Sequence, residues 1–71
     1  MGNRIKSNGM FNAAGMARNL AYSSKISDDS GIALCMTAMQ ALGATVEEIN
    51  AIREGNFTVE GEDILVWPVT Q

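Results

Sequence analysis

Between Ile32 and Leu42 only Thr37 and Gln40 are polar, and the run carries no charge. An apolar stretch of that length exceeds a typical strand and reads as a helix. A helix apolar nearly all round needs cover on most of its sides, so this segment decides what the rest of the chain must do. On a helical wheel Ile32, Cys35, Met36, Met39 and Leu42 share one bulky face. Ala33, Thr37 and Ala41 recur at i, i+4 and i+8 on the other side, where small residues admit a second helix, here expected from another subunit. Ser27 or Asp28 supplies the N-cap, and Asp28 and Asp29 suit the positive end of the helix dipole. Gly43 takes the C′ position that ends it.

The material available as cover is limited. The chain has 71 residues, enough for one domain whose lone core is marginal. One cysteine excludes an internal disulfide, and the absence of histidine leaves no plausible zinc ligand set. Close packing or oligomerisation remains, and a homodimer or larger assembly is expected.

Two more helices flank the first. Over Phe11–Ser24, Ala13, Met16, Ala17 and Leu20 fall at i, i+3, i+4 and i+7, one buried stripe. Phe11, Arg18 and Tyr22 form an aromatic–cation–aromatic row on the opposite side, the residue types that anchor interfaces. Thr45-Val46-Glu47-Glu48 is a capping box opening a helix that ends at Gly55, with Val46, Ile49 and Ile52 inward. Phe57–Val59 and Asp63–Trp67 read as two strands around Glu60-Gly61-Glu62. The second is apolar on both faces, which predicts cover on both, and Pro68 ends its pairing. A lone hairpin is marginal, and Arg4-Ile5-Lys6 is available as an edge strand, with Lys6 set against Glu60 or Asp63. The expected fold is α+β: three short helices, then a C-terminal β-hairpin with an N-terminal edge strand. Residues 1–9 form a basic polar arm or that strand, and residues 10–71 one small domain. The expected core is Met16, Leu20, Ile32, Met36, Met39, Leu42, Ile49, Ile52, Ile64 and Val66.

Charge is segregated along the chain. Residues 1–25 hold Arg4, Lys6, Arg18 and Lys25 and no carboxylate, whereas residues 26–71 hold eight carboxylates and the single cation Arg53; the net charge is −3. Such a split points to charge-steered contact within the molecule, between copies, or with a charged partner. The N-terminus lacks the apolar run of a secretory signal. The longest apolar stretch is too short to span a bilayer, which takes about 20 residues. Lys6 stands where a myristoylation pattern wants Ser or Thr. Asn56-Phe57-Thr58 matches a glycosylation acceptor only formally without a secretory route. A reducing, cytoplasmic location is expected.

The residue inventory argues against catalysis. Without histidine the usual serine and cysteine triads are excluded, and Cys35 sits on an apolar face where a thiol is inert. Glu47/Glu48 and Glu60/Glu62/Asp63 suggest acid–base pairs, yet adjacent helical residues point about 100° apart, and glutamates around a glycine are typical of a solvated turn. No glycine-rich phosphate loop is present. No enzymatic activity, no cofactor and no metal are expected.

Ala41–Ile49 resembles the turn of a helix-turn-helix, and Arg53-Glu54-Gly55 beyond it resembles repressor-type domains. The resemblance implies a dimeric DNA-binding regulator, with Glu47, Glu48, Asn50, Arg53 and Glu54 on the reading helix. Three glutamates against one arginine repel the phosphates that dominate nucleic-acid affinity, so nucleic acid is an unlikely partner on charge. The favoured expectation is a small acidic interaction protein of the phage or mobile-element kind. It would inhibit or assist a host macromolecular complex, including one that handles nucleic acid, through Glu47, Glu48, Glu54, Glu60, Glu62 and Asp63. A third expectation is an oligomer holding a small ligand between subunits. Arg4, Lys6, Phe11, Arg18, Tyr22 and Trp67 are the interface or ligand candidates.

Overall fold

Small residues on one helix organise the molecule. In the computed structural model, which describes residues 2–67, the elements in chain order are β1 (Asn3–Ile5), α1 (Ala13–Lys25), α2 (Asp29–Ala41), α3 (Val46–Arg53), β2 (Phe57–Glu60) and β3 (Asp63–Val66). Ala13, Ala14 and Ala17 of α1 are buried with Leu20, and their short side chains let neighbours approach on two sides. α2, α3 and β3 all pack on α1, and α3 also meets β3. Gly31 shows how close the α1–α2 approach is: a Cβ there would lie 2.6 Å from the Ser23 hydroxyl oxygen.

The sheet is antiparallel with order β1-β3-β2. Arg4 pairs with Leu65 and Ile5 with Ile64; Thr58 pairs with Leu65 and Val59 with Ile64. The fold is therefore α+β, with the N-terminal strand completing the hairpin as a third strand. Ile5, Ile64 and Val66 turn inward to the buried cluster formed with Leu20, Ile32, Met39, Ile49 and Ile52. Of the expected core, Met16, Met36 and Leu42 are half-buried at its margin, while Ile5, Cys35, Ala38 and Ala51 join it.

Several boundaries and faces differ from expectation. α1 starts at Ala13, because the Asn12 side chain accepts from the Gly15 N–H as N-cap. Phe11 therefore precedes the helix, where its N–H donates to Asn8 Oδ1. The aromatic–cation row is reduced to Arg18 and Tyr22. At α2 it is Asp28, accepting from Gly31 N–H, that caps the helix. Ser27 instead takes the left-handed φ of 58° that closes the α1–α2 turn. Gly43 (φ 94°) and Gly55 (φ 86°) end α2 and α3 as the sequence predicts.

α2 is covered on one side only. Ile32, Cys35, Ala38 and Met39 are buried, whereas Ala33, Leu34, Thr37 and Ala41 face solvent, with Leu34 72% exposed. Nothing among the described residues covers that side of α2. Val46 is also outward, 68% exposed. At 100° per residue it opposes the arc of Glu48, Ile49, Ala51 and Ile52, which is the buried side of α3. Among the described residues β3 is likewise covered on one face. Ile64 and Val66 are buried, but Leu65 is half-buried and Trp67 is 45% exposed on the outer side. Pro68 lies outside the described residues.

Candidate functional site

The N-terminus of α1 and the β2–β3 turn are built into one unit. A helix leaves its first four N–H groups without intrahelical partners. Here Ala13 N–H donates to Ser7 Oγ, Ala14 N–H to the Glu62 carbonyl, and Gly15 N–H to Asn12 Oδ1. Ser7 Oγ in turn donates to the Glu62 carbonyl, and Ser7 N–H donates to Asp63 Oδ1 at 2.9 Å. The basic arm therefore serves as a strap between helix and hairpin, and β1 ends directly before it.

This strap accounts for much of the expected acidic set. Arg4 lies across the outer face of the sheet, with Nη2 2.6 Å from Glu60 Oε1 and Nη1 3.3 Å from Asp63 Oδ2. Arg4, and not Lys6, meets these carboxylates; Lys6 is exposed and makes no ion pair among the described residues. Glu62 is exposed and accepts from Asn12 Nδ2 at 3.2 Å. Glu60, Glu62 and Asp63 thus come together at one turn, already partly satisfied.

The three carboxylates of the α3 region sit elsewhere and differ among themselves. Glu48 is buried: Oε1 accepts from Thr45 N–H to complete the capping box, and Oε2 accepts from Asn3 Nδ2 at 2.9 Å. It ties α3 to β1 and is not available to a partner. Glu47 and Glu54 are exposed. With Asn50 they fall at i, i+3 and i+7, one row on the solvent side of α3. Arg53 beside them points its Nε at Ser24 Oγ of α1, 3.1 Å away. Ser24, Asn50, Arg53 and Glu54 line a shallow recess there. Asn50 was legible only as a member of the helix; its place in the row appears once Val46 is known to face outward.

The remaining candidates are dispersed. Arg18 and Tyr22 are exposed on α1, Tyr22 by 63%, and Phe11 is half-buried ahead of that helix. Trp67 lies at the far end of the sheet from the Arg4 ion pairs. Its indole N–H donates to Thr58 Oγ1 at 3.2 Å, and its ring lies so close to Gly2 that a Cβ there would be 3.2 Å from it. The recess at Ser24, Asn50, Arg53 and Glu54 is lined by none of Arg4, Lys6, Phe11, Arg18, Tyr22 and Trp67.

Cys35 is buried. Burial, and secondarily the Asp28 carboxylate, push its thiol above the ordinary value of 9.0, which keeps it protonated. Among the described residues no three His, Cys, Asp or Glu side chains converge as a metal would require, and no helix is long and apolar enough to cross a membrane. α2 and α3 each pack on α1, and Ile32 and Met39 of α2 share the buried cluster with Ile49 and Ile52 of α3. Comparison with protein-family models, curated proteins and solved structures gives no match.

Proposed function

We propose that this chain is a small acidic interaction protein without catalysis of its own, which captures a basic surface on a macromolecular complex and acts there as an inhibitor or accessory factor. The observation that carries the reading is the row Glu47–Asn50–Glu54 on the solvent face of α3. It is anionic, Glu47 and Asn50 lie on the helix with Glu54 as its C-cap, and the helix is tethered at both ends. The capping box and the Glu48–Asn3 hydrogen bond hold the first turn, and the Arg53–Ser24 contact holds the last. A helix held in this way loses little backbone freedom on binding. Its charge steers encounter with a basic partner. Glu62, exposed at the β2–β3 turn, adds a further carboxylate outside the Arg4 pairs.

Affinity capture from the native host, comparing the wild type with a Glu47→Lys/Glu54→Lys variant, tests this. Both side chains are exposed, so the variant retains the wild-type circular dichroism and melting temperature while the partner is lost. Equal capture by a folded variant would contradict the reading.

A further inference from the structure

The bend between β1 and α1 carries a reactive pair. Of the chain's asparagines, Asn8 alone is followed by glycine. The amide of an asparagine is open to attack by the backbone nitrogen of the next residue, and a side chain on that residue obstructs the approach. Gly9 has none. The fold leaves the pair reactive in further ways. Asn8 and Gly9 are both exposed, and a Cβ built on Gly9 would have no neighbour within 4 Å. Among the described residues the Gly9 N–H donates no hydrogen bond, whereas those of Asn8 and Met10 do. The Asn8 side chain curls back over the bend, so that Oδ1 accepts from Met10 N–H and from Phe11 N–H, each at 2.8 Å. Two donors on one carbonyl oxygen draw electrons from Cγ and stand where negative charge collects on attack.

We infer that Asn8–Gly9 is a site of spontaneous backbone rearrangement, with water as its co-reactant, and that one product loosens the strap between the arm and α1. Solvent base takes the Gly9 N–H proton. The nitrogen bonds to Asn8 Cγ, and negative charge moves onto Oδ1 between its two donors. The Cγ–Nδ2 bond breaks as that charge returns, and Nδ2 leaves as ammonia with a proton from solvent. The cyclic imide that remains is opened by water at one carbonyl or the other, giving aspartate or isoaspartate. In sum an amide and water become an acid and ammonia, with no change of oxidation state. The two products act differently on the fold. Aspartate keeps an oxygen at Oδ1, so Met10 and Phe11 N–H stay satisfied. Isoaspartate routes the main chain through Cβ and Cγ, which lengthens the backbone before Gly9 and removes that oxygen from its place over the bend. Ser7 stands directly before this point; its hydroxyl accepts from Ala13 N–H and its own N–H donates to Asp63 Oδ1. A longer backbone there shifts Ser7 against the first turn of α1.

Incubation of the full chain in mildly alkaline buffer, followed by peptide mapping and an isoaspartate assay, tests the inference. The Asn8 amide is lost, faster as pH rises, while Asn3, Asn12, Asn19, Asn50 and Asn56 stay intact over the same time. The isolated isoaspartyl form unfolds at lower urea than the starting chain, and Asn8→Asp, which reproduces the other product, does not. Gly9→Ala, whose Cβ meets open space and whose backbone lies outside the left-handed region, keeps the fold and loses the conversion. An Asn8 amide that persists, a rate indifferent to pH, equal conversion in Gly9→Ala, or an isoaspartyl form as stable as Asn8→Asp would overturn the inference.

Discussion

Ser27 closes the α1–α2 turn with a φ of 58°, a left-handed conformation that disfavours any residue with a Cβ by roughly 1 kcal/mol. Its backbone N–H donates to the Ser24 carbonyl, and no hydrogen bond from its hydroxyl offsets that cost. Ser27→Gly is therefore expected to stabilise the fold by about 0.5–1 kcal/mol, read as a melting temperature higher by a few degrees. Cys35 gives a pH signature. Its thiol is raised in the folded state, so its contribution is intact below the unfolded thiol pKa and is lost as pH rises through the folded value. Urea midpoints should fall on the alkaline side, and Cys35→Ala should flatten that decline. The sequence shows Cys35 to be on an apolar face, and the thiol is buried there. Glu48 illustrates the opposite case. Its place at N3 of the capping box is legible, but its second hydrogen bond comes from Asn3, 45 residues away. A contact of that separation leaves no local mark, so the residue reads as a surface acid.

Helix and strand ends are legible where a local hydrogen bond or a glycine defines them. Thr45, Gly43 and Gly55 are of this kind. Faces are less so, because they depend on which neighbour arrives. The stripes of α1 and α2 point correctly to Leu20, Ile32 and Met39, yet the sequence cannot say that Ala33, Leu34, Thr37 and Ala41 stay exposed. Nor does it say that β3 has one open face. The strap at Ser7 is also invisible locally: it links the arm to a turn more than fifty residues on. Ser7→Ala removes a donor to the Glu62 carbonyl and leaves the Ala13 N–H without its acceptor. The expected cost is about 1–3 kcal/mol, measured by urea unfolding. Arg4→Ala, which breaks only exposed ion pairs, should cost less than about 1 kcal/mol.

The charge split reads differently at the scale of the molecule than along the chain. Part of it is spent internally, with Arg4 clamping Glu60 and Asp63 and the arm strapping the hairpin to α1. Exposed outside the Arg4 pairs are Glu47 and Glu54 of the α3 region, Glu62, and Asp28 and Asp29 at the start of α2. The six carboxylates picked from the sequence were thus a correct inventory of charge and an incomplete map of it, because burial and pairing are tertiary facts. The account stands on the claim that the α3 row is the electrostatic contact to a partner. The affinity for the captured partner, measured from about 50 to about 500 mM salt, addresses it most directly, since exposed charge pairs are screened over that range. The account predicts a steep loss of affinity with salt and a flatter slope for Glu47→Gln/Glu54→Gln. An affinity indifferent to salt, or a slope unchanged by the double substitution, would contradict it.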